Sequence, residues 1–474
     1  MTQARVPLAT KLAYGVGAVA YGIKDNGFSV FLLLFYNQVV GLPADQVGFA
    51  ILIALIVDGL IDPIVGVLSD RTNTRWGRRH PWLYGSVLPI FAAWILLWNP
   101  PVASHSVQFL WLLVVAIAVR FALSTNEVPS IALVPEMTRD YHERTSILRY
   151  RYLFGWGGGL AMLVLAYGVL LAPEGNRSAI LAADGYHRYG LAGALIMGVT
   201  VLLSALGTHR RYAKPPVAPP PRHGLMETLV NMRSTLSNRA FLILMAATLF
   251  AFANQGIAFA ISNYVLTYVW LFSKAEFFGY SIALFAGVVG AFFGVTGLNA
   301  RIGKRATAAT CVCASAALGT LPYWLRLAGV DVPHGPFLLL VGVSTGLGVA
   351  VMISAGSMVA DVVEASQAET GRREEGLFAA GYFFMQKSVT GFGIFLTGVM
   401  LSLVGFPANA VPGRVDPAIL DRLTLSFSML TVVFAAAGAA IFMRFPFGRE
   451  EHEARLAKLA VAEAGRPLEN GGNA

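Results

Sequence analysis

The sequence predicts an all-α membrane protein of twelve transmembrane helices, arranged as two pseudosymmetric six-helix bundles. Three observations carry that expectation. Of 474 residues, 56% are hydrophobic and only 13% charged, too little polar surface to clothe a soluble core. The apolar residues come in long blocks such as 93–118, 190–206 and 423–443, and about 20 of them cross the hydrocarbon as a helix. A proline-rich, basic stretch at 208–238 divides the blocks into six and six.

The blocks read as spans at 10–39, 46–68, 81–99, 106–135, 151–172, 188–207, 239–270, 277–298, 306–327, 335–363, 376–404 and 422–444. The first follows a polar start (Thr2, Gln3, Arg5) and runs too long for the apolar region of a cleaved leader, so it is expected to stay as a span. Lys and Arg concentrate in alternate loops: Arg71, Arg75, Arg78 and Arg79; Arg139, Arg144 and Arg149; Arg301, Lys304 and Arg305; Arg372 and Arg373. The intervening loops 40–46, 100–105 and 329–334 carry none. Cytoplasmic loops hold the basic residues, so both termini are expected on the cytoplasmic side of an inner (plasma) membrane.

The formal charge of +9 therefore reads as topology signal and lipid-headgroup contact, not as a nucleic-acid surface. The linker holds Pro215, Pro216, Pro219, Pro220 and Pro221 among basic residues, a stiff extended composition; residues 225–237 after it have the pattern of a short amphipathic surface helix. The expected organisation is a bundle at 1–207, the cytoplasmic linker 208–238, a second bundle at 239–444 and a charged cytoplasmic tail at 445–474. A weak repeat supports the cut. Gly66-x-x-x-Asp70-Arg71 with Arg75-Trp76-Gly77-Arg78-Arg79 follows the second span, and Gly297-x-Asn299-x-Arg301-x-Gly303-Lys304-Arg305 follows the eighth. Matching loops in two halves fit an internally duplicated carrier.

Ionisable groups inside spans are costly and mark function or tight pairing. Here they are Lys24 and Asp25 on the first span, Asp58 and Asp62 on the second, Arg120 and Glu127 on the fourth, and Lys387 on the eleventh. Asp58 and Asp62, four residues apart, share one helix face. Two carboxylates so placed repel each other and either hold a cation or share a proton. Ser124 lies three residues before Glu127 on nearly the same face, with Arg120 one turn further back. Tyr21, Lys24, Asp25 and Phe28 form a stripe on the first span. Four acids against three bases leave one net negative charge, the balance expected of a cation site; buried ion pairs joining helices are the alternative. All eight histidines are expected outside the spans, which disfavours a membrane enzyme, a histidine relay or a histidine metal site. Cys311 and Cys313 point to different faces of one helix and are expected to be small core residues. Asp361 and Glu364 are expected to pair with Arg372 or Arg373.

The run Asp58-Gly-Leu-Ile-Asp62-Pro63 through Ser69-Asp70-Arg71-Thr72 and Arg75-Trp76-Gly77-Arg78-Arg79-His80-Pro81-Trp82 is distinctive. It resembles the glycoside–pentoside–hexuronide:cation symporters, the melibiose-permease branch of the major facilitator superfamily. The likeness continues in Tyr21-Gly-Ile-Lys24-Asp25, Glu127-Val-Pro129 with Val134-Pro135, Glu143-Arg144, Tyr150-Arg151, Asp361, Gly371-Arg372, Gly376 and Gln386-Lys387. It implies two bundles around a cavity that opens alternately to either side. It also implies a coupling cation at Asp58 and Asp62; Ser124, read from its place on the fourth-span face, is expected beside them. Solute contacts would come from Lys24, Asp25, Glu127 and Arg151, with Tyr21 and Ile131 nearby, and Lys387 would link the two sites. The loop with Asp70, Arg71, Arg75, Arg78 and Arg79 would act as a cytoplasmic latch; Asp361 with Arg372 and Arg373, read from the residues alone, is expected as a gating or structural contact.

The chain departs from the melibiose carriers in having Glu127 for Asp, and Ile131 and Leu123 where they place aromatics. It also has Ile61 where sodium-coupled members have Asn. These changes weigh against a galactoside, and toward a proton over sodium. The expected function is symport of a sugar, glycoside or sugar acid with H+ or Na+ by a monomer, with no cofactor beyond the ion and no enzyme activity. The alternatives are a carrier of an amphiphile such as a lysolipid, with Ile131 and Leu123 in its cavity, or a non-transporting membrane sensor.

Overall fold

The computed structural model describes residues 6–138, 140–171, 179–215, 237–370 and 375–447. Most of the proline-rich linker with its amphipathic segment, Arg139, Arg372, Arg373 and the tail from 448 lie outside the described residues.

Among the described residues, twelve helices are long and apolar enough to span a bilayer. They are α1 (Leu8–Val40), α2 (Ala44–Arg71), α3 (His80–Leu97), α4 (His105–Met137), α5 (Glu143–Leu170) and α6 (Ala183–Tyr212), then α7 (Arg239–Val269), α8 (Lys274–Ile302), α9 (Lys304–Leu327), α10 (His334–Gln367), α11 (Gly376–Leu403) and α12 (Pro417–Phe442). Helices satisfy their own backbone groups, as the hydrocarbon demands. Each expected span is present. The largest boundary error is at α5, expected from 151 but capped by Asp140, whose carboxylate accepts from the Glu143 amide. Hydropathy marks where a helix is apolar, whereas the cap marks where it begins.

The principal packing pairs of one half become those of the other on adding six. In the first half α1 lies on α5 and α6, α2 on α4, and α3 on α4 and α6; in the second, α7 lies on α11 and α12, α8 on α10, and α9 on α10 and α12. The halves meet through α1 with α7, α2 with α11, and α5 with α8. The tightest contacts repeat too. A Cβ on Gly22 would lie 2.0 Å from the Gly155 carbonyl oxygen, and one on Gly256 would lie 2.2 Å from that of Thr390. Small residues let backbones approach this closely.

Between described residues, hydrogen bonds across the halves gather at the end opposite the basic loops. Asn263 Nδ2 donates to the Val30 carbonyl (2.8 Å), Tyr264 Oη to Asn37 (2.9 Å) and Tyr268 Oη to Gln38 (2.9 Å). Gln38 Nε2 donates to the Pro407 carbonyl (3.0 Å), and Tyr167 Oη donates to Asn263 (2.7 Å). Helices α2 and α11 touch from Ala44 against Gly398 to Gly59 against Phe384. The molecule is thus closed at this outer end as far as mid-span.

Two expectations are corrected. His80 is buried at the start of α3, 3.1 Å from the Thr208 hydroxyl, and His209 lies within α6, 3.1 Å from the Tyr84 hydroxyl. His187 is also helical. Helices that overrun the bilayer carry polar ends which hydropathy assigns to loops. Cys311 is buried but Cys313 is exposed, because residues two apart on a helix face different ways.

Gly22→Ala should lower the melting temperature of the detergent-solubilised protein, because overpacking against backbone costs about 1–3 kcal/mol. Gly157→Ala, whose methyl group meets nothing within 4 Å, should melt like the parent. Equal melting of both variants would contradict the close packing of α1 on α5.

Candidate functional site

Five helices bring the intramembrane charges together. On α2, Asp58 is buried and Asp62 sits one turn nearer the basic end. The Ser124 hydroxyl of α4 lies 2.7 Å from an oxygen of each carboxylate. Lys387 reaches across from α11, with Nζ 2.7 Å from Asp62 and 3.2 Å from Asp58. Arg120 Nη1 stands 3.4 Å from Asp58 and 3.9 Å from Asp25, and its guanidinium lies 4.1 Å over the Phe28 ring. The stacked ring helps to hold a desolvated cation.

A second group continues from the first. Lys24, 2% exposed, lies 3.3 Å from Glu127 and 3.4 Å from Asp25. Arg151 of α5 approaches the other Glu127 oxygen at 3.7 Å, donates to Ser130 at 2.9 Å and lies 4.7 Å over the Tyr21 ring. Tyr21 donates to Asn126 (2.6 Å), which donates to Ser86 (2.9 Å). A buried charge is stabilised when its remaining polar groups are bonded; Ser130 does this for Arg151, whereas Arg120 Nε is buried with no hydrogen-bond partner among the described residues. Asp25 differs: its side chain is 65% exposed, so it faces open space. Asp62, Lys387 and Glu127 are 28%, 21% and 20% exposed. The cluster is therefore reachable from the interior even though the outer end is closed.

Arg151 changes the charge balance. It joins Lys24, Arg120 and Lys387 against Asp25, Asp58, Asp62 and Glu127, so the network is four against four and neutral. The net negative charge expected from sequence is not there, because Arg151 had been placed at the edge of the fifth span instead of inside it. Leu123 is 1% exposed within the apolar core, which removes it from any cavity lining; one residue from Ser124, it points away from the charged face. Ile131, one turn beyond Glu127, is half-exposed.

The gating residues divide. Arg79 is buried, pairs with Asp70, and donates to Glu136 (3.0 Å) and Ser69 (2.7 Å), tying the ends of α2, α3 and α4 together. In the second half Lys304 Nζ pairs with Asp361 at 2.6 Å, the same tie between the equivalent helices. Arg75 stacks on its neighbour Trp76 at 5.3 Å, and Arg71 is exposed at the end of α2. Arg372 and Arg373 lie outside the described residues. Sequence reading passed over Asn126, Ser130, Glu136 and the Lys304 pairing. It also passed over the outer closure of Asn37, Gln38, Asn263, Tyr264 and Tyr268. A polar residue inside an apolar span is the one signal that could have flagged Asn126 and Asn263.

Residues 13–449 match the family model described as MFS/sugar transport protein. The chain belongs to that family. This transporter is similar to an uncharacterised symporter of Synechocystis sp., at 27% identity over 94% of this chain and 96% of the relative. It is also similar to the isoprimeverose transporter of Lactiplantibacillus pentosus, at 25% over 85% and 82%. The glucuronide carrier protein homolog of Escherichia coli matches at 25% over 92% of each chain. These relatives bear out the resemblance seen in the second-span motif. In fold the transporter is similar to the xylose transporter XylE of E. coli in an inward-open conformation. That likeness has a TM-score of 0.64 at 13% identity and covers 94% of this chain and 98% of that one. A bacterial homologue of the lysosomal transporter Spinster scores 0.65 at 15% identity, over 93% and 98%. Twelve spans and these relatives make the chain a multi-pass membrane transporter.

Lys387→Met should lower the melting temperature by leaving Asp62 and Asp58 short of a partner, and adding Asp62→Asn should restore part of the loss. A coupling of about 1–3 kcal/mol is expected for residues in one network; strictly additive losses would show that the bond across the halves does not form.

Proposed function

We propose that the transporter is a cation-coupled secondary carrier of a sugar, glycoside or sugar acid. In this reading it works by alternating access in the inner membrane, with both termini cytoplasmic. The observation that carries it is the convergence of Lys387, from one half, on Asp58 and Asp62 of the other, beside a solute-sized set of charged groups. The names of the symporter relatives support the class of solute. An inner membrane symporter of E. coli, 24% identical over 92% of this chain, supports the location, and the basic loops support the orientation.

In this scheme Lys387 is the internal counter-ion of the cation site. A serine hydroxyl has one proton, yet Ser124 faces two carboxylates at 2.7 Å. One contact lacks a hydrogen while both acids are ionised, and a proton or a metal cation supplies what is missing. Its arrival frees Lys387, which releases the seam between α2 and α11. Lys24, Asp25, Glu127 and Arg151, with Tyr21 and Ile131 at the margin, then contact the solute, and the halves rock. The loaded and empty states reorient more easily than a half-loaded one, because an uncompensated charge resists burial.

The neutral balance of the network bears on the solute. One added cation leaves the site positive with a neutral sugar and neutral again with a carboxylate-bearing one. Sugar acids are therefore the favoured members of the class. In a thermal-shift screen of sugars, sugar acids and lysolipids, with and without sodium and at two pH values, a sugar acid should stabilise the protein most. That effect should grow with sodium or with acid. Stabilisation by lysolipids alone would overturn the assignment. With the solute so found, Asp58→Cys should abolish gradient-driven accumulation in vesicles while the protein still reaches the membrane. Undiminished accumulation by that variant would reject the coupling scheme.

A further inference from the structure

Between α5 and α8, near the closed outer end, lies a groove of about 840 Å³ that the transport scheme does not use. Its walls are Ala161, Val164, Leu165 and Gly168 of the first half, facing Lys274 and Phe278 of the second. Apart from Lys274 the lining is apolar. The helix faces that continue it are apolar and exposed, with Val169 60%, Ile282 47% and Phe285 45% accessible; in a membrane protein such faces meet acyl chains. Lys274 stands at the first turn of α8, where that span leaves the headgroup region. Among the described residues no carboxylate pairs with it, and the nearby Glu276 is bound to His334 and Ser273. From the level of Val169 down to Ala161 the groove descends about 12 Å along α5 at 1.5 Å per residue.

We infer that this groove is a binding site for one anionic phospholipid of the surrounding bilayer, with an acyl chain between α5 and α8 and its headgroup on Lys274. An apolar slot running into the bilayer with an ammonium at its mouth matches a molecule with an apolar tail and an anionic head. A zwitterionic phospholipid also fills the slot, but its own ammonium offsets the phosphate that the lysine would bind, so it gains less from Lys274. A sugar-like solute finds only the Lys274 ammonium as a side-chain hydrogen-bonding partner on the walls. The two walls belong to opposite halves, and just inside them Tyr167 packs on Phe277 (5.1 Å between ring centroids) and donates to Asn263. The site is thus complete only while this end is closed, and the bound lipid favours that state. The binding itself does not depend on which solute is carried or on ion coupling.

The test is native mass spectrometry of the full-length protein, titrated separately with phosphatidylglycerol, phosphatidylethanolamine and oleate. The parent should retain one phosphatidylglycerol in preference to phosphatidylethanolamine. Lys274→Glu should weaken the phosphatidylglycerol adduct by at least about five-fold, the worth of a single lysine near an anionic headgroup, and should weaken phosphatidylethanolamine, which is zwitterionic, by less. Gly168→Phe, whose ring would fill the slot beside Phe278 (3.4 Å from a Cβ at this position), should remove both adducts. Retention of phosphatidylglycerol at the parent level by both variants would overturn the site. Tighter binding of oleate than of phosphatidylglycerol would overturn the assignment to a phospholipid.

Discussion

The ammonium of Lys387 is the one described side chain that carries charge from one half of the molecule into the centre of the other. Much of the arrangement depends on it. Asp58 is buried, and breaking a buried pair by removing one partner costs about 3–5 kcal/mol. The bond therefore holds α11 against α2 at the depth where their tight packing stops, near Gly59 and Phe384. An interaction of this kind weakens when a further cation or a proton neutralises its carboxylates, which makes it conditional in a way that apolar packing is not.

The two halves use one plan for opposite purposes. Both tie the loop between their second and third helices to their fourth, through Arg79 with Glu136 and through Lys304 with Asp361. Both press the first helix on the fifth through a residue without a side chain, Gly22 and Gly256. The interiors then diverge. Where α1 and α4 meet through Lys24 and Glu127, α7 and α10 meet through Gln255 Nε2 on the Met352 sulfur at 3.1 Å, a weak and uncharged contact. The second half contributes scaffold and a single lysine, and the first half contributes the rest of the charge.

The fold was legible because the bilayer imposes a length and a composition that survive in the raw sequence; all twelve spans could be placed without any knowledge of contacts. The cluster was legible for a related reason, since Asp58, Asp62, Glu127 and Lys387 stand out in apolar surroundings. Arg151 was seen only through family likeness. It lies near the start of a helix whose first turns are polar, so nothing local distinguishes it from the basic loop before it, and the charge balance drawn without it was wrong. Leu123 failed differently. A one-residue step along a helix turns a side chain by about 100°, and the neighbour of Ser124, which faces the charged cluster, faces the apolar core. The outer closure was illegible because its members, Asn37, Gln38, Tyr264 and Tyr268, are neutral and occur at span ends, where polar residues are ordinary.

That closure also differs from the centre in its chemistry. Its members are phenols, amides and carbonyls, each hydrogen bond contributing about 0.5–1.5 kcal/mol net because water can replace it. Three of the helices that form it widen into π-helical turns there, at Gly27–Phe31 and Phe35–Val40 in α1, Ala166–Leu170 in α5 and Val265–Val269 in α7. A π turn shifts the backbone partner by one residue and loosens the ladder; the Val30 carbonyl, inside one of them, accepts Asn263 from the other half. At the basic end the described ties run within a half, so parting the halves there leaves Arg79–Glu136 and Lys304–Asp361 intact. Opening at the outer end exchanges neutral hydrogen bonds for water, and opening at the basic end leaves those ties unbroken. In the proposed scheme the charged bond that either movement meets is the one at Lys387, which would place control of the motion at the middle of the membrane instead of at its gates.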